Sequence, residues 1–372
     1  MTGARPAGPT LADVAASAAA AVGVDAFSDA LGIGDCRHAV VCLIDGLGWL
    51  SLQEHRAVAP RLAALAGGPI ASVFPTTTPV GLGSFGTGLL PGMHGLVGAA
   101  FEYPETGELL SPLQWGSHPT PVAVQPEPTV FERAAAAGVR VTTTSPGAYR
   151  DSGLTRAVLR GADYAPAEGL DDRLAAVETV EAAMSAGTGR ALTYVYWPEL
   201  DRVGHESGVG SEAWLAALAR VDVLVGRLVD ALGSGSALVV TADHGMVDCP
   251  VDVRIDIDAD GRLTQGVRRI AGEPRARHVY VQPGAAPDVA ATWGEVLGER
   301  ALVLTRAELI AAGYLGDVDP ALEERIGDVM AIPRASWMLA SSVDPTVSRL
   351  IGQHGGLTDQ EVLIPALLHR AT

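Results

Sequence analysis

The chain contains no lysine, and all 26 of its basic residues are arginines, spread along 372 positions. Its 43 acidic residues give a formal net charge of −17, and no basic stripe interrupts this acidity. Nucleic-acid-binding proteins carry a clustered basic surface, so the composition argues against that class. An acidic enzyme can still act on anionic substrates where bound metal ions reverse the local electric field.

Long apolar runs and cysteine pairs are absent as well. No stretch reaches the 18 consecutive apolar residues that a membrane span requires. The Ala-rich N-terminus is interrupted by Asp13 and has no basic region, which argues against a secretory signal. The cysteines, Cys36, Cys42 and Cys249, form no CxxC pair, as is typical of a reducing compartment. We predict a cytoplasmic protein without a membrane partner, in which Cys42 is buried and Cys249 is either inert or close to the site.

Short apolar runs alternate with helical stretches rich in Ala, Leu, Arg and Glu. This alternation predicts an α/β fold with a doubly wound, mostly parallel sheet and helices on both faces. The predicted strands are 39–44, 70–74, 139–144, 191–197 and 237–241. The clearest predicted helices are 129–138, ended by Gly138, and 211–233, capped by Ser211 and ended by Gly233.

The character of the sequence changes between residues 251 and 345. A turn-rich DIDADGRL segment precedes a strand-like RHVYVQP, a helix near 288–298, the run ALVLT and an acidic helix near 319–330. We predict that 251–345 forms a smaller inserted α+β subdomain, and that 1–250 and 346–372 form the catalytic core.

Seven side chains in five separate segments suggest chemistry. They are Asp45 in VVCLIDGLG, Thr78 in FPTTTPVG, Asp201 and His205 in ELDRVGH, Asp243 and His244 in TADHGM, and His354 in GQHGG. Six of them are Asp or His at junctions between strands and loops, where α/β enzymes place catalytic groups. Zinc accepts such mixtures of carboxylate and imidazole. The pattern predicts metal-assisted hydrolysis of a phosphate ester.

Residues that follow predicted strands have an ordinary alternative explanation. Asp45 could cap a helix, although a buried carboxylate at a strand end requires a cation or another partner. Asp243 and His244 could also be a capping pair, but adjacent Asp and His residues can diverge from one backbone kink onto a single ion.

The other two segments are similarly ambiguous when each is taken alone. Asp201 and His205 lie one helical turn apart, so they can chelate an ion or form a solvated pair. Gly204 weakens such a helix without an evident packing gain, which argues against a simple surface helix. The glycines around His354 permit close approach of a ligand. Together, four such coincidences favour a metal site over incidental placement.

The hydroxyl-rich segment offers a nucleophile. Pro79 is a favoured first helical residue, so we predict that Thr78 is an N-cap, where the helix dipole and free N–H groups can hold phosphoryl oxygens. Its alcohol would need activation, which direct zinc coordination supplies. Thr76, Thr77 and Ser84 remain competing nucleophiles, and a plain capping role for Thr78 remains open.

In this order, the segments resemble the type I phosphodiesterase/nucleotide pyrophosphatase family of the alkaline phosphatase superfamily. The match runs from VVCLIDGLG through FPTTTP, GTGLLPGMHGLVG and YVYWPELDRVGH to VVTADHGM and QHGG. The resemblance implies an alkaline-phosphatase-like fold and two zinc ions, with other divalent metals as alternatives. It assigns Asp45, Thr78, Asp243 and His244 to one ion and Asp201, His205 and His354 to the other. It also implies in-line attack by Thr78 and a covalent phospho-enzyme that metal-bound hydroxide hydrolyses.

Two departures from the family pattern concern substrate recognition. Relatives that cleave nucleotides have an aromatic residue after the nucleophile, where this chain has Pro79. They also have a phosphoryl-binding Asn where this chain has Gly98-Ala99-Ala100. We therefore expect backbone N–H groups near Thr78 to hold the phosphoryl oxygens. The aromatic candidates for a leaving-group pocket are Phe101, Tyr103, Trp115, Tyr149 and Trp197.

The sequence thus predicts a dizinc phosphodiesterase or nucleotide-pyrophosphatase-like hydrolase of a small-molecule phosphate ester. The alternative is a phosphomonoesterase or phosphonate-type hydrolase with the same metals. A sulfatase is disfavoured because Thr78 lacks the C/S-x-P-x-R context. A cofactor-independent phosphoglycerate mutase is disfavoured because no large insertion follows the nucleophile. No basic residue lies between Ile70 and Met93, which favours a diester. The arginines that could change this by folding into the site are Arg150, Arg254, Arg275 and Arg277.

Overall fold

The computed structural model describes residues 8–187, 189–343 and 345–371. Residues 1–7, Thr188, Asp344 and Thr372, which the predicted domain ranges include, lie outside the described residues. Within the described part, no helix is long and apolar enough to cross a bilayer.

Strands and helices alternate through most of the chain. The strands are β1 (His38–Ile44), β2 (Ala66–Ala71), β3 (Phe101–Tyr103), β4 (Glu108–Leu110), β5 (Arg140–Ser145), β6 (Asp163–Pro166), β7 (Ala191–Trp197), β8 (Ser236–Thr241), β9 (Val247–Asp248), β10 (Arg254–Asp256), β11 (Val267–Glu273), β12 (Ala276–Val281), β13 (Ala301–Thr305), β14 (Val329–Pro333), β15 (Met338–Ala340), β16 (Gly352–Gln353) and β17 (Leu363–Arg370). The α-helices are α1 (Leu11–Ala21), α2 (Trp49–Glu54), α3 (Pro60–Ala63), α4 (Thr78–Thr87), α5 (Pro91–His94), α6 (Pro121–Val124), α7 (Val130–Ala136), α8 (Gly153–Val158), α9 (Leu170–Ala186), α10 (Glu199–Ser207), α11 (Glu212–Ala231), α12 (Ala286–Leu297), α13 (Arg306–Ala311), α14 (Pro345–Ser348) and α15 (Asp359–Val362).

The central sheet has seven strands in the order β2-β17-β8-β1-β7-β5-β6. Strand β1 is parallel to β7 and β8, and β5 is parallel to β6 and β7, whereas β17 is antiparallel to both of its neighbours. All residues of β1 and β7 are buried, because helices cover both faces. Helices α1, α4 and α7 pack together, and α9, α10 and α11 form a second packed group. The predicted α/β class and the mostly parallel sheet are confirmed.

Helices α7 and α11 agree closely with prediction. The Thr129 side chain accepts a hydrogen bond from Glu132 N and so caps α7. In the same way, the Ser211 side chain accepts from Trp214 N and caps α11.

Three predictions from the strand and helix patterns are wrong or incomplete. Strand β2 covers Ala66–Ala71 rather than 70–74, because the Gly- and Pro-containing half pairs with β17 at the sheet edge. The predicted acidic helix is a short 3₁₀ turn, Pro320–Arg325, and residues from Val329 onward form β14. Strand β17 was not predicted, because Pro365 is unusual within a strand; its pairing with β8 begins only at Ala366.

A second sheet lies between β9 and β16 in sequence. Its antiparallel strands have the order β11-β12-β14-β13 and enclose a separate apolar cluster around Trp293, Leu297 and Val329. Met330 and Ile332 of β14 pack instead into the main core. We call residues 251–345 the inserted block; its division from the core at these boundaries stays a prediction.

His278 of β12 joins this block to the main core. Its Nε2 donates to Val97 O at 3.0 Å, and Gly327 N donates to its Nδ1 at 3.0 Å. Burial lowers the pKa of His278 from 6.5 to about 4, because removing the ring from solvent disfavours its charged form.

We expect acid to weaken the fold through His278. The pKa in the folded state lies below that of the unfolded chain, so this stabilisation is complete above pH 6.5 and is lost as the pH falls toward 4. The loss amounts to about 3 kcal/mol at about 1.4 kcal/mol per pKa unit. Urea unfolding between pH 7.5 and 4 should show a flatter pH dependence for His278→Gln than for the wild type. Parallel curves would contradict this assignment.

Candidate active site

The carboxyl ends of two neighbouring strands hold the first group of candidate ligands. Asp45 follows β1 directly, and its N–H donates to Trp197 O at 3.0 Å. Asp243 and His244 follow β8 after one alanine. Carboxylate and imidazole atoms of Asp45, Asp243 and His244 lie within 4.8 Å of one another, a geometry that could hold a metal ion.

Helix α10 and the loop after β16 hold the second group. Asp201 and His205 lie one turn apart on α10, and His205 Nε2 is 3.4 Å from Asp201 Oδ2. His354 completes this group, whose ligand atoms also lie within 4.8 Å of one another. Gly204 allows α10 to pack closely, because a Cβ there would lie 2.4 Å from the sulfur of Met246. Glycine at position 204 therefore does bring a packing gain, which was not evident from the sequence alone.

The two groups adjoin each other. The rings of His244 and His354 stack, with centroids 3.8 Å apart and planes 21° apart. Thr78 Oγ1 lies 3.2 Å from His244 Nε2. The structure thus brings together all seven side chains that the sequence singled out.

Each of the three histidines points its Nε2 toward the candidate metal positions. Their Nδ1 atoms contact backbone carbonyls: His205 that of Gly352 at 2.7 Å, His354 that of Thr76 at 3.0 Å, and His244 that of Gly245 at 3.0 Å. Carbonyl oxygens only accept hydrogen bonds, so the proton of each neutral ring resides on Nδ1. The Nε2 lone pairs are therefore free to bind a metal ion, as in many histidine metal sites.

The distance between two of these nitrogens also favours an ion. His205 Nε2 and His354 Nε2 lie 3.2 Å apart, although neither carries a proton to donate to the other. Two imidazole ligands of a tetrahedral zinc ion, with Zn–N of about 2.0–2.1 Å, lie about 3.3 Å apart. A cation between the two lone pairs would turn a repulsive contact into an attractive one.

Three buried carboxylate oxygens in these groups have no hydrogen-bond partner among the described residues. They are Asp45 Oδ1, Asp201 Oδ1 and Asp243 Oδ2. Each lies 3.5–3.8 Å from an Nε2 atom, of His244 for Asp45 and Asp243 and of His354 for Asp201. Unpaired buried oxygens are costly, and a metal ion is the usual partner for such a set.

Electrostatics agree with this geometry. Burial raises the pKa of Asp45 well above its usual value, and the charges of Asp243 and Asp201 raise it further. Burial likewise raises the pKa of Asp243 and lowers that of His354. The hydroxyl of Tyr196 donates to Asp45 Oδ2, which opposes the shift of Asp45 and fixes this carboxylate. A divalent cation would remove the remaining repulsion between the carboxylates.

The four competing hydroxyls have different surroundings. Thr76 Oγ1 donates to Gly356 O at 2.8 Å, and Ser84 Oγ lies 2.9 Å from His94 Nε2 inside α4. The Thr77 side chain lies near Glu273 and lowers the pKa of that carboxyl group, against the larger effect of burial. Of the four, Thr78 is the one whose hydroxyl contacts a candidate ligand.

The position of Thr78 in its helix differs from prediction by one residue. Thr77 is the N-cap, and Thr78 is the first residue of α4. The N–H groups of Val80 and Gly81 both donate to Thr77 O, and proline at position 79 has no N–H. Among the described residues, Thr78 N makes no hydrogen bond, so it is the amide left to bind an oxygen.

Two further residues concern the site: Glu273, which the sequence did not single out, and Cys249, for which the sequence left two roles open. Glu273 is buried, and its Oε2 lies 3.6 Å from His354 Nδ1; burial raises its pKa to about 8. It lies in the inserted block, and no motif marks it. Cys249 is fully buried and donates weakly to Val247 O; burial raises its pKa to about 11, so it is the inert thiol of the two alternatives.

The comparison with protein families gives the class of the protein. Residues 39–357 match the family model described as type I phosphodiesterase / nucleotide pyrophosphatase. The chain therefore belongs to this family, and it is a metal-dependent phosphoric ester hydrolase. No curated protein sequence matches the chain significantly.

Solved structures share the fold. An inactive variant of murine ectonucleotide pyrophosphatase/phosphodiesterase 5, in complex with AMP, is 19% identical, with a TM-score of 0.68 over 89% of this chain and 87% of that one. Phosphonoacetate hydrolase from Sinorhizobium meliloti 1021, in complex with phosphonoformate, is 20% identical, with a TM-score of 0.67 over 91% of each chain. Both are alkaline-phosphatase-like folds.

We expect Gly46→Ala to disrupt the candidate site. Gly46 has a φ of +75°, and a Cβ there would lie 2.9 Å from the Cβ of Asp201. Gly32 is the matched control, with a φ of +69° and nothing within 4 Å of its Cβ position. Both variants should lose about 1–2 kcal/mol of stability from the left-handed backbone. Elemental analysis should find less metal in Gly46→Ala alone; equal metal content in the two variants would contradict this role.

Proposed function

We propose that the protein is a dizinc phosphodiesterase or nucleotide-pyrophosphatase-like hydrolase that uses Thr78 as its nucleophile. The observation that carries the proposal is the convergence of three unpartnered carboxylate oxygens and three Nε2 atoms on the space next to the Thr78 hydroxyl. Six such donors suit two zinc ions, and other divalent metals remain possible.

The two ligand groups divide the metals between them. Asp45, Asp243 and His244 would hold one ion, with Thr78 Oγ1 as an added ligand, and Asp201, His205 and His354 would hold the other. When bound, such ions supply Lewis-acid stabilisation of charge on the attacking and leaving oxygens.

The chain's own groups position the nucleophile. Thr78 Oγ1 would lose its proton and form a bond to phosphorus, while the bond from phosphorus to the leaving-group oxygen breaks and that oxygen takes a proton from water. The oxygen of a water molecule would then form a bond to phosphorus while the bond from phosphorus to Thr78 Oγ1 breaks, and Oγ1 takes a proton from that water. The free Thr78 N–H, at the positive end of α4, is placed to hold a phosphoryl oxygen. The inactive murine relative in complex with AMP carries a threonine-to-alanine substitution, which supports a threonine nucleophile.

A cavity of about 890 Å³ beside Thr78 and Asp45 would accept the leaving group. Of the five predicted aromatic candidates, Tyr149 and Trp197 line it. Tyr149 is 42% exposed, and its ring lies 6.3 Å from that of Tyr196. Phe101 and Tyr103 pack instead into the main core, and Trp115 packs against its edge.

The cavity arginines do not clamp the reacting phosphate. Arg202 and Arg220 pair with Glu199 near the rim, and Arg173 donates to the carbonyls of Tyr196 and Gly169. In the described part of the chain, none of the three contacts Thr78 or a candidate ligand.

The four arginines that the sequence left open bind elsewhere. Arg150 packs over the ring of Tyr164, and Arg254 donates to three carbonyls including Cys249 O. Arg275 pairs with Glu361, and Arg277 donates to Leu339 O.

We expect Thr78→Ala to abolish turnover while both metals stay bound, because Thr78 is only an added ligand. Thr78→Ser should retain measurable activity, since it keeps the hydroxyl. Metal content by elemental analysis and turnover of a nitrophenyl phosphodiester should be measured for both variants. The wild type is expected to contain about two zinc ions per chain. Thr77→Ala is the control that tests which of the consecutive threonines is the nucleophile. An inactive Thr77→Ala together with an active Thr78→Ala would move the nucleophile by one residue.

We expect diesters to be preferred over monoesters by at least about tenfold in kcat/KM, or about 1.4 kcal/mol in transition-state energy. A diester carries one negative charge at phosphorus, whereas a monoester dianion requires extra positive charge, and among the described residues none of the cavity arginines, Arg173, Arg202 and Arg220, makes a hydrogen bond or ion pair with Thr78. Side-by-side assays of a nitrophenyl phosphodiester and a phosphomonoester measure the ratio. Equal or faster monoester turnover would favour the phosphatase or phosphonate-hydrolase alternative.

A further inference from the structure

The turn between β11 and β12 brings two charged side chains of the inserted block into the protein interior. Glu273 is 7% exposed and Arg275 is fully buried. Arg275 forms a two-bond ion pair with Glu361, at 3.0 and 2.6 Å. Glu361 in turn accepts from Gly356 N at 2.8 Å, so this pair holds the loop that carries His354.

Glu273 contacts this loop directly. Its Oε2 is 3.6 Å from His354 Nδ1, on the ring edge opposite the Nε2 that faces the candidate metal position. Gly355 has a φ of +118°, and a Cβ there would lie 2.6 Å from the carboxyl carbon of Glu273. The close approach of Glu273 thus requires glycine next to His354.

The same carboxylate reaches the segment of the nucleophile. The Thr77 side chain is close enough to Glu273 to oppose the rise that burial causes in the pKa of this carboxyl group. Thr77 is the N-cap of α4, and its side chain makes no capping hydrogen bond. Glu273 therefore lies between the loop of His354 and the residue that precedes Thr78.

One oxygen of Glu273 has no apparent structural use. Oε1 is buried and has no hydrogen-bond partner among the described residues. A buried unpaired carboxylate oxygen destabilises the folded state, so a carboxylate retained only for stability would be a poor choice here. Replacement by the isosteric amide should cost little stability or even increase it.

We propose that Glu273 is a positioning residue, contributed by the inserted block, that aligns His354 and the Thr77–Thr78 turn with each other. Its carboxylate oxygen beside Nδ1 would fix the orientation of the ring, so that Nε2 is held toward the candidate metal position, as carboxyl groups next to metal-binding histidines do. The inference rests on the proposed two-metal function.

The test compares Glu273→Gln with Glu181→Gln. Glu181 is a matched control: it is buried, and its Oε1 lies 2.6 Å from Nδ1 of His38, at the opposite end of β1 from Asp45. Three quantities should be measured in both variants and the wild type: zinc affinity by competition with a chelator, the visible absorption of the Co²⁺-substituted protein, and the thermal unfolding midpoint.

For Glu273→Gln we expect about 10- to 100-fold weaker binding of one of two ions, an altered Co²⁺ spectrum and an unfolding midpoint equal to or above that of the wild type. For Glu181→Gln we expect a shifted midpoint with unchanged zinc affinity. Thr77→Val lacks the hydroxyl near Glu273, so it should lower kcat with less effect on zinc affinity than Glu273→Gln has. If Glu273→Gln does not fold, Thr77→Val takes its place in the test.

Two results separate the failure of this inference from the failure of the proposed function. A wild type that binds two ions, together with a Glu273→Gln variant that binds them equally tightly, overturns the positioning role alone. A wild type that binds fewer than two ions overturns the two-metal function and the positioning role with it. Loss of zinc affinity in both glutamine variants would mean a general effect of buried charge and would also overturn the inference.

Discussion

The mutual repulsion of three clustered carboxylates is the constraint on which this structure depends. Asp45 and Asp243 are buried and Asp201 is partly buried; besides burial itself, Asp201 raises the pKa of Asp45 and of Asp243, and Asp243 raises that of Asp45. Protein groups relieve only part of this repulsion, through the hydroxyl of Tyr196 and the N–H of Gly46. The rest requires positive charge, and the orientation of the histidine rings leaves a place for it. The surrounding strands, helix and loops can be understood as the means of holding these groups together against their repulsion.

Direct contacts between loops keep the site assembled. Thr76 binds the loop of His354 through both its backbone and its side chain: Thr76 N donates to Gly355 O at 3.3 Å, and Thr76 Oγ1 accepts from Gly355 N at 3.0 Å and donates to Gly356 O. The inserted block holds the same loop from the other side through Arg275 and Glu361. The loop of His354 is thus fixed by two regions that are far away from it in sequence, and an error in either of them would displace a candidate metal ligand.

The sequence predicted the sheet and the candidate ligands because both have local signatures. Nearly continuous apolar runs mark β1, β7 and β8, and the Asp and His candidates stand out because they follow the ends of those runs. Glu273 could not be found in this way, since its role arises from a turn in the inserted block that meets His354 only in the folded chain. Strand β17 was missed for a related reason: its pairing partners, β2 and β8, lie far away in sequence and compensate for Pro365. Local patterns therefore revealed the side chains that bind, but not those that position them.

The place of β17 has a consequence for the synthesis of the protein. Strand β17, Leu363–Arg370, lies between β2 and β8, so both strands remain without this neighbour until β17 has been synthesised. His354 precedes β17 by only a few residues and becomes available at nearly the same time. Until then, a nascent chain exposes two open strand edges and an incomplete set of candidate ligands together. Such edges can pair with other chains, so the nascent chain is open to aggregation until β17 has paired with β2 and β8.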